Sequence, residues 1–165
     1  KKQNPPADYG QQLTTIIIGI RHQQIEKLIA ELRSVKYDKY KPATIAKPIG
    51  YLMPQNKFYQ YVFVMDQIDN ANNILISFGE DIKHYTKKFF NENSNLTDIC
   101  KTMSKKDFYL PINTEYRLAC CYFYLKDFTK MKEYIKNVLE GRKDNKPSNF
   151  FDEYKKFSNK LLKFN

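Results

Sequence analysis

Between Phe58 and Phe89 a mostly apolar stripe recurs every three or four positions: Phe58, Tyr61, Val64, Ile68, Ala71, Leu75, Phe78, Ile82, Tyr85 and Phe89. Strands place side chains on alternate faces, whereas one face of a helix returns every three to four residues, so a stripe of this length points to helix. The spacing predicts helices over 57–77 and 80–91, broken near Gly79, where Ser77 suits a cap and Glu80–Asp81 a first turn. A competing signal lies in the same stretch. Tyr59–Met65 is aromatic and β-branched, and Asn70 with Asn72 and Asn73 could turn it into Ile74–Phe78 as a hairpin. The expected fold class is therefore all-α, an antiparallel helical bundle. Its alternative is an α+β fold with a β-hairpin at 58–78.

The flanking segments extend the helical reading. Leu13, Ile17, Ile20, Gln24, Leu28 and Leu32 predict a first helix over 13–35, although Thr14–Ile18 is β-branched and could open as a strand. Pro42, Pro48, Pro54 and Gly50 make 37–56 a punctuated connector. A short helix follows over 97–105, capped at Asn95 or Thr97. Helices are expected at 114–126, capped by Asn113 or Thr114, and at 127–140, stopped by Gly141. Ser148 is placed to cap a last helix through Phe151, Tyr154, Phe157, Leu161 and Leu162. Short joins between the last three favour antiparallel packing. The chain has 165 residues and 5 Gly. That supports one helical domain over 11–165 behind a polar leader at 1–10, and argues against Gly-rich phosphate loops and turn-dense β folds.

Charge narrows the partners. With 28 Lys+Arg against 18 Asp+Glu, the formal charge is +10, and it is segregated: +5 over residues 1–50, −2 over 51–100 and +7 over 101–165. Such a field favours an acidic protein, nucleic acid or an anionic surface. Arg occurs at Arg21, Arg33, Arg117 and Arg142 alone. Nucleic-acid readers lean on Arg for bidentate contacts, so a Lys-rich excess suits a solvated surface facing an acidic protein better. No apolar run approaches the ~20 residues of a membrane span.

Chemistry-bearing constellations are sparse. His22 and His84 stand apart, and no G-x-S-x-G, H-E-x-x-H or P-loop occurs. Asp66/Asp69, Glu80/Asp81 and Asp152/Glu153 read as solvated faces or first-turn acids. Catalytic residues, cofactors and metal ligands are therefore expected to be none, and the chain is not expected to be an enzyme. Of the three cysteines, Cys120 and Cys121 are neighbours on one helix and point about 100° apart. Cys100 could pair with either, or all three could be buried hydrophobes.

Two segments carry a resemblance. Leu118, Ala119, Tyr122, Leu125, Lys126, Asp127, Phe128, Lys130, Ile135, Val138 and Leu139 follow the order of large and small positions in a tetratricopeptide-type helical hairpin, here over 112–145. Met131 and Val138 stand where that motif has small residues, and Lys143 where it has its closing proline. The resemblance implies two closely packed helices and a peptide-binding role. The opening Lys1-Lys2-Gln3-Asn4-Pro5-Pro6 resembles the tether behind the lipidated cysteine of bacterial lipoproteins. It implies a periplasmic or outer-membrane-tethered location, with the cytoplasm as the alternative.

The chain has 13 Tyr and 12 Phe, of which Phe108, Tyr109, Tyr116, Tyr122, Phe123, Tyr124, Phe128 and Tyr134 crowd 27 residues, and Tyr122-Phe123-Tyr124 sweeps about 200° of a helix. At least one of these rings must lean outward or meet another layer. The candidate partner-binding residues are Tyr109, Tyr116, Tyr124, Lys126, Lys130, Tyr134, Arg142 and Lys143. The expected function is a non-catalytic protein-binding module with an acidic partner, resembling in type the immunity proteins that neutralise bacterial toxins, or an envelope lipoprotein. The alternative is an RNA or single-stranded nucleic-acid binder using the Lys/Tyr-rich C-terminal third.

Overall fold

The computed structural model describes residues 12–14, 17–54, 61–63, 68–105, 114–141 and 149–164. The chain is mostly helical, with two small strand pairs. It divides into two compact units: Lys1–Ile18 with Lys47–Asn91, and Gly19–Ala46 with Glu92–Asn165. The leader at 1–10 lies outside the described residues.

The first unit corrects the reading of the apolar stripe. Strand β1 (Gln12–Thr14) pairs antiparallel with β4 (Tyr61–Phe63), with Gln12 opposite Phe63, Leu13 opposite Val62 and Thr14 opposite Tyr61. Tyr61 of the stripe is therefore in a strand, while Phe58 and Val64 lie outside the described residues. The partner of that strand is 12–14 and not 74–78, so the expectation of a helix running unbroken over 57–77 is corrected and the alternative hairpin at 58–78 is not formed either. Ile74–Phe78 is helical, inside α2 (Ile68–Asn91). Local aromatic and β-branched preference wins over the period where a distant strand supplies the ladder. Nor does α2 break at Gly79, where an added Cβ would meet nothing within 4 Å. The C-terminal part of the stripe behaves as its spacing requires. Phe78, Ile82 and Tyr85 pack on Ile49 and Met53, which belong to a 3₁₀ turn (Ile49–Leu52) and the residue after it, and Ile18 joins them.

The first helix begins later than the spacing suggests. Ile17–Ile20 forms β2, which pairs with β3 (Ile45–Pro48), and α1 runs from Gln23 to Arg33. The division between the units falls within both β2 and β3. The β-branched run favours extended backbone, and His22 then caps α1, its Nδ1 accepting from Ile25 N–H at 3.4 Å. Gly19 is required here: a Cβ would lie 2.7 Å from Ala43 Cβ. The buried face of α1 is Ile25, Leu28, Ile29 and Leu32, while Gln24 is exposed.

The rest of the second unit is helical: α3 (Leu96–Ser104), α4 (Thr114–Tyr124), α5 (Phe128–Glu140) and α6 (Phe150–Lys163). Asn95 caps α3, accepting from Asp98 N–H at 3.0 Å. Helix α4 is central. Its residues 116–121 are all buried, because α1, α3, α5 and α6 each pack on it. Ala119, Cys120 and Cys121 are wholly enclosed, and their small side chains let the neighbours approach closely. Gly141 ends α5 with φ −67°, an extended conformation, so it does not act as the left-handed C′ glycine expected of it. Asn149 and not Ser148 precedes α6, and it makes no side-chain cap bond.

Candidate partner-binding face

The join between α4 and α5 is built by two interlocking end motifs. Lys126 adopts φ 56°, its N–H donates to Phe123 O at 3.0 Å, and Asp127 N–H donates to Tyr122 O at 3.0 Å. This is the left-handed helix end that glycine usually supplies, here filled by lysine. Asp127 then starts α5, its Oδ1 accepting from Lys130 N–H at 3.1 Å and its Oδ2 from Lys130 Nζ at 2.7 Å. These bonds hold the Asp127 carboxyl below its ordinary range, the Lys130 side-chain bond being the largest cause, and hold the Lys130 ammonium above its own.

The three consecutive rings leave α4 toward three neighbours. The Tyr122 ring meets Tyr134 of α5 at 5.9 Å, and its hydroxyl lies 3.3 Å from Ser104 Oγ of α3. Phe123 meets Phe128 at 6.2 Å. The Tyr124 hydroxyl donates to Gln24 O of α1 at 3.3 Å. All are half-buried, as are Leu125 and Tyr134, whereas Lys126, Lys130, Lys132 and Lys136 are exposed. Burial raises the hydroxyl pKa of Tyr124 and Tyr134, so both are neutral donors at neutral pH. Thus Lys130 and Tyr134 share the α3 side with Tyr122, Tyr124 faces α1, and Lys126 stands at the tip beside Phe123 and Phe128.

Tyr116 does not belong to this face. It is 2% exposed, with the rings of Phe157, Tyr154 and Phe150 at 4.8, 5.2 and 6.0 Å and the Arg33 guanidinium 4.7 Å above it. A large ring on the central helix is enclosed from all sides. Tyr109, Arg142 and Lys143 lie outside the described residues. Tyr122, Phe123 and Phe128 complete the tip, and their signal was the ring density itself.

Behind the tip, α4 is tied to α1 by a buried ionic cluster. Glu26 Oε1 accepts from Arg117 Nε at 2.7 Å and from Thr44 Oγ1 at 2.8 Å, and Glu26 Oε2 lies 3.4 Å from Arg117 Nη2 and 3.8 Å from Arg21 Nη1. Thr44 Oγ1 also accepts from His22 N–H at 2.9 Å. Arg21 further donates to the carbonyls of Pro42 and Asp38, fastening the connector. Glu26 is only 7% exposed, with Arg117 of the opposite helix as its counter-charge. The available signal was one arginine set among Tyr116, Leu118, Ala119, Cys120 and Cys121.

A cleft of about 450 Å³ lies between the end of α1 and α6. Within it Arg33 pairs with Glu153 at 3.3 Å, and Lys160 Nζ donates to Leu32 O at 2.8 Å and Ser34 Oγ at 3.1 Å. Among the described residues no group of three His, Cys, Asp or Glu could hold a metal ion, and no helix is long and apolar enough to cross a membrane. No family model, curated protein or solved structure matches the chain.

Proposed function

We propose that this chain is a non-catalytic protein-binding module whose contact surface is the α4–α5 tip. The carrying observation is the row of half-buried rings, Tyr122, Phe123, Tyr124 and Phe128, beside exposed Lys126 and Lys130. Rings held in place by neighbours lose little entropy on docking, and aromatic anchors dominate binding energy at protein interfaces. The partner is an acidic protein, since a chain of charge +10 gains both steering and selectivity from opposite charge. In the toxin-neutralising form of this reading the partner is the toxin itself; in the envelope form it is a neighbouring component reached from a lipid tether. The likeness of 112–145 to a tetratricopeptide hairpin supports a peptide-sized epitope.

The test is capture from the producing cell, followed by titration of the captured partner. An acidic protein should be retained by the native chain and released by the double charge reversal Lys126→Glu/Lys130→Glu, with the melting curve unchanged. Retention of nucleic acid alone, with affinity falling steeply as salt rises, would favour the nucleic-acid reading instead.

A further inference from the structure

The cleft between α1 and α6, of about 450 Å³, is lined by residues 32–35 on one side and by Glu153, Lys156, Phe157 and Lys160 on the other. Its acceptors are used up within the fold. Ser34 takes the left-handed conformation that ends α1, so its N–H donates to Glu31 O at 3.0 Å and the Val35 N–H to Ala30 O at 2.9 Å. Lys160 Nζ covers Leu32 O and Ser34 Oγ. Glu153 is the one carboxylate among the described residues of the lining. It accepts from Arg33 Nη2 on one oxygen and, at 3.0 Å, from Asn149 Nδ2 on the other.

Donors and positive charge are left over. Arg33, Lys156 and Lys160 face a single Glu153, three positive charges against one negative. Glu153 and the Tyr116 ring hold the Arg33 guanidinium in place. Lys156 is exposed and has no hydrogen-bond or ion-pair partner among the described residues. The lining is otherwise apolar: Leu32 and Phe157 are buried, and Val35 is 50% exposed.

This combination selects a ligand. A carboxylate satisfies the surplus donors, and an apolar side chain next to it covers Val35. Phosphate suits the cleft less, because the backbone N–H groups of Ser34 and Val35, which would cradle it, already cap α1. The volume is also too small to seat a helix, about 10–12 Å across. We propose that the cleft binds a short extended segment of an acidic protein, with a carboxylate at Lys156 and Arg33 and a neighbouring apolar side chain against Val35, Leu32 and Phe157. The site uses no residue of the α4–α5 tip and stands or falls separately from the reading of that tip.

The experiment is equilibrium dialysis of peptide pools against the folded full-length chain at physiological salt, read by mass. One pool sets Leu, Ile or Phe between Asp or Glu residues; a second has Lys in place of the acids, and a third has Ser at the centre. The first pool should bind, and the other two at least about tenfold more weakly. Lys156→Glu changes an exposed side chain and should leave the melting curve unaltered. It should nevertheless weaken the first pool by at least about tenfold, since it sets like charges together. Val35→Ser should weaken it by less. Lys126→Glu/Lys130→Glu should bind it within about twofold of the native chain, because distant charges are screened. Failure of the first pool to bind, equal binding by Lys156→Glu, or no preference over the Ser-centred pool would overturn the proposal. Displacement of the peptides by inorganic phosphate at equal concentration would overturn it too, making the cleft a small-anion site.

Discussion

Two carboxylates in this molecule each accept a hydrogen bond from a basic side chain at 2.7 Å: Glu26 from Arg117 and Asp127 from Lys130. The first pair is buried, its side chains 6% and 2% exposed, while those of the second are 33% and 65% exposed. The equal distance hides a difference in kind. Water competes for every hydrogen bond of the exposed pair and screens its charges, so its worth lies mainly in capping α5 and shaping the tip. The buried pair has given up its hydration, and each partner depends on the other. Glu26 and Arg117 therefore fix which helices meet, and Asp127 and Lys130 fix how a loop presents its side chains.

The comparison breaks most sharply at Arg117. Arg117→Met should cost about 3–5 kcal/mol in a urea titration, because it leaves Glu26 buried without its closest counter-charge. Combining it with Glu26→Leu should recover at least about 2 kcal/mol of that loss, since a buried ion pair replaced on both sides no longer strands a charge. A double variant as unstable as the single would mean that the cluster acts through packing and not through charge.

Smaller effects sharpen the exposed side. Lys126→Gly should stabilise the chain by about 1 kcal/mol, read as a raised midpoint at unchanged slope, because glycine enters the left-handed region without the steric cost lysine bears. Mild acid should act through His22. Burial is the main cause that lowers its pKa in the folded chain below the ordinary 6.5, against its own backbone bond and the Glu26 charge. The unfolded chain therefore takes up the proton first, and this stability, full above pH 6.5, is lost as pH falls below it. A protonated imidazole also cannot accept from Ile25 N–H, so the cap of α1 fails with it. Melting temperatures between about pH 7.5 and pH 5 should fall for the native chain and fall less for His22→Asn, which caps without titrating. The smallest stability effect belongs to Lys130→Ala. Its melting curve should match the native one in high salt, and any loss should appear in partner affinity instead.

The helices from α3 onward were legible because each carries its own signals. Asn95 caps α3, Asp127 caps α5, and Tyr154, Phe157 and Leu161 recur on one face of α6. The tip was legible as a density of rings, although the rings alone did not separate enclosed Tyr116 from half-buried Tyr124. Extended segments were harder to read. Strand β4 has a helical spacing along its flanks, and only the arrival of 12–14 beside it supplies the hydrogen bonds that make it a strand. Glu26 looked like one of several polar residues on α1 because its partner is 91 positions away.

Composition and local pattern by themselves determined a chain dominated by helices, a positive field at both ends and an aromatic last third. Period, caps and charge act over a few residues, and the sequence displays them directly. Tertiary structure alone decided that Tyr61–Phe63 is strand, which ring goes inside and which carboxylate is buried. Each of those depends on a partner brought close by folding, and on the loss of water that comes with it.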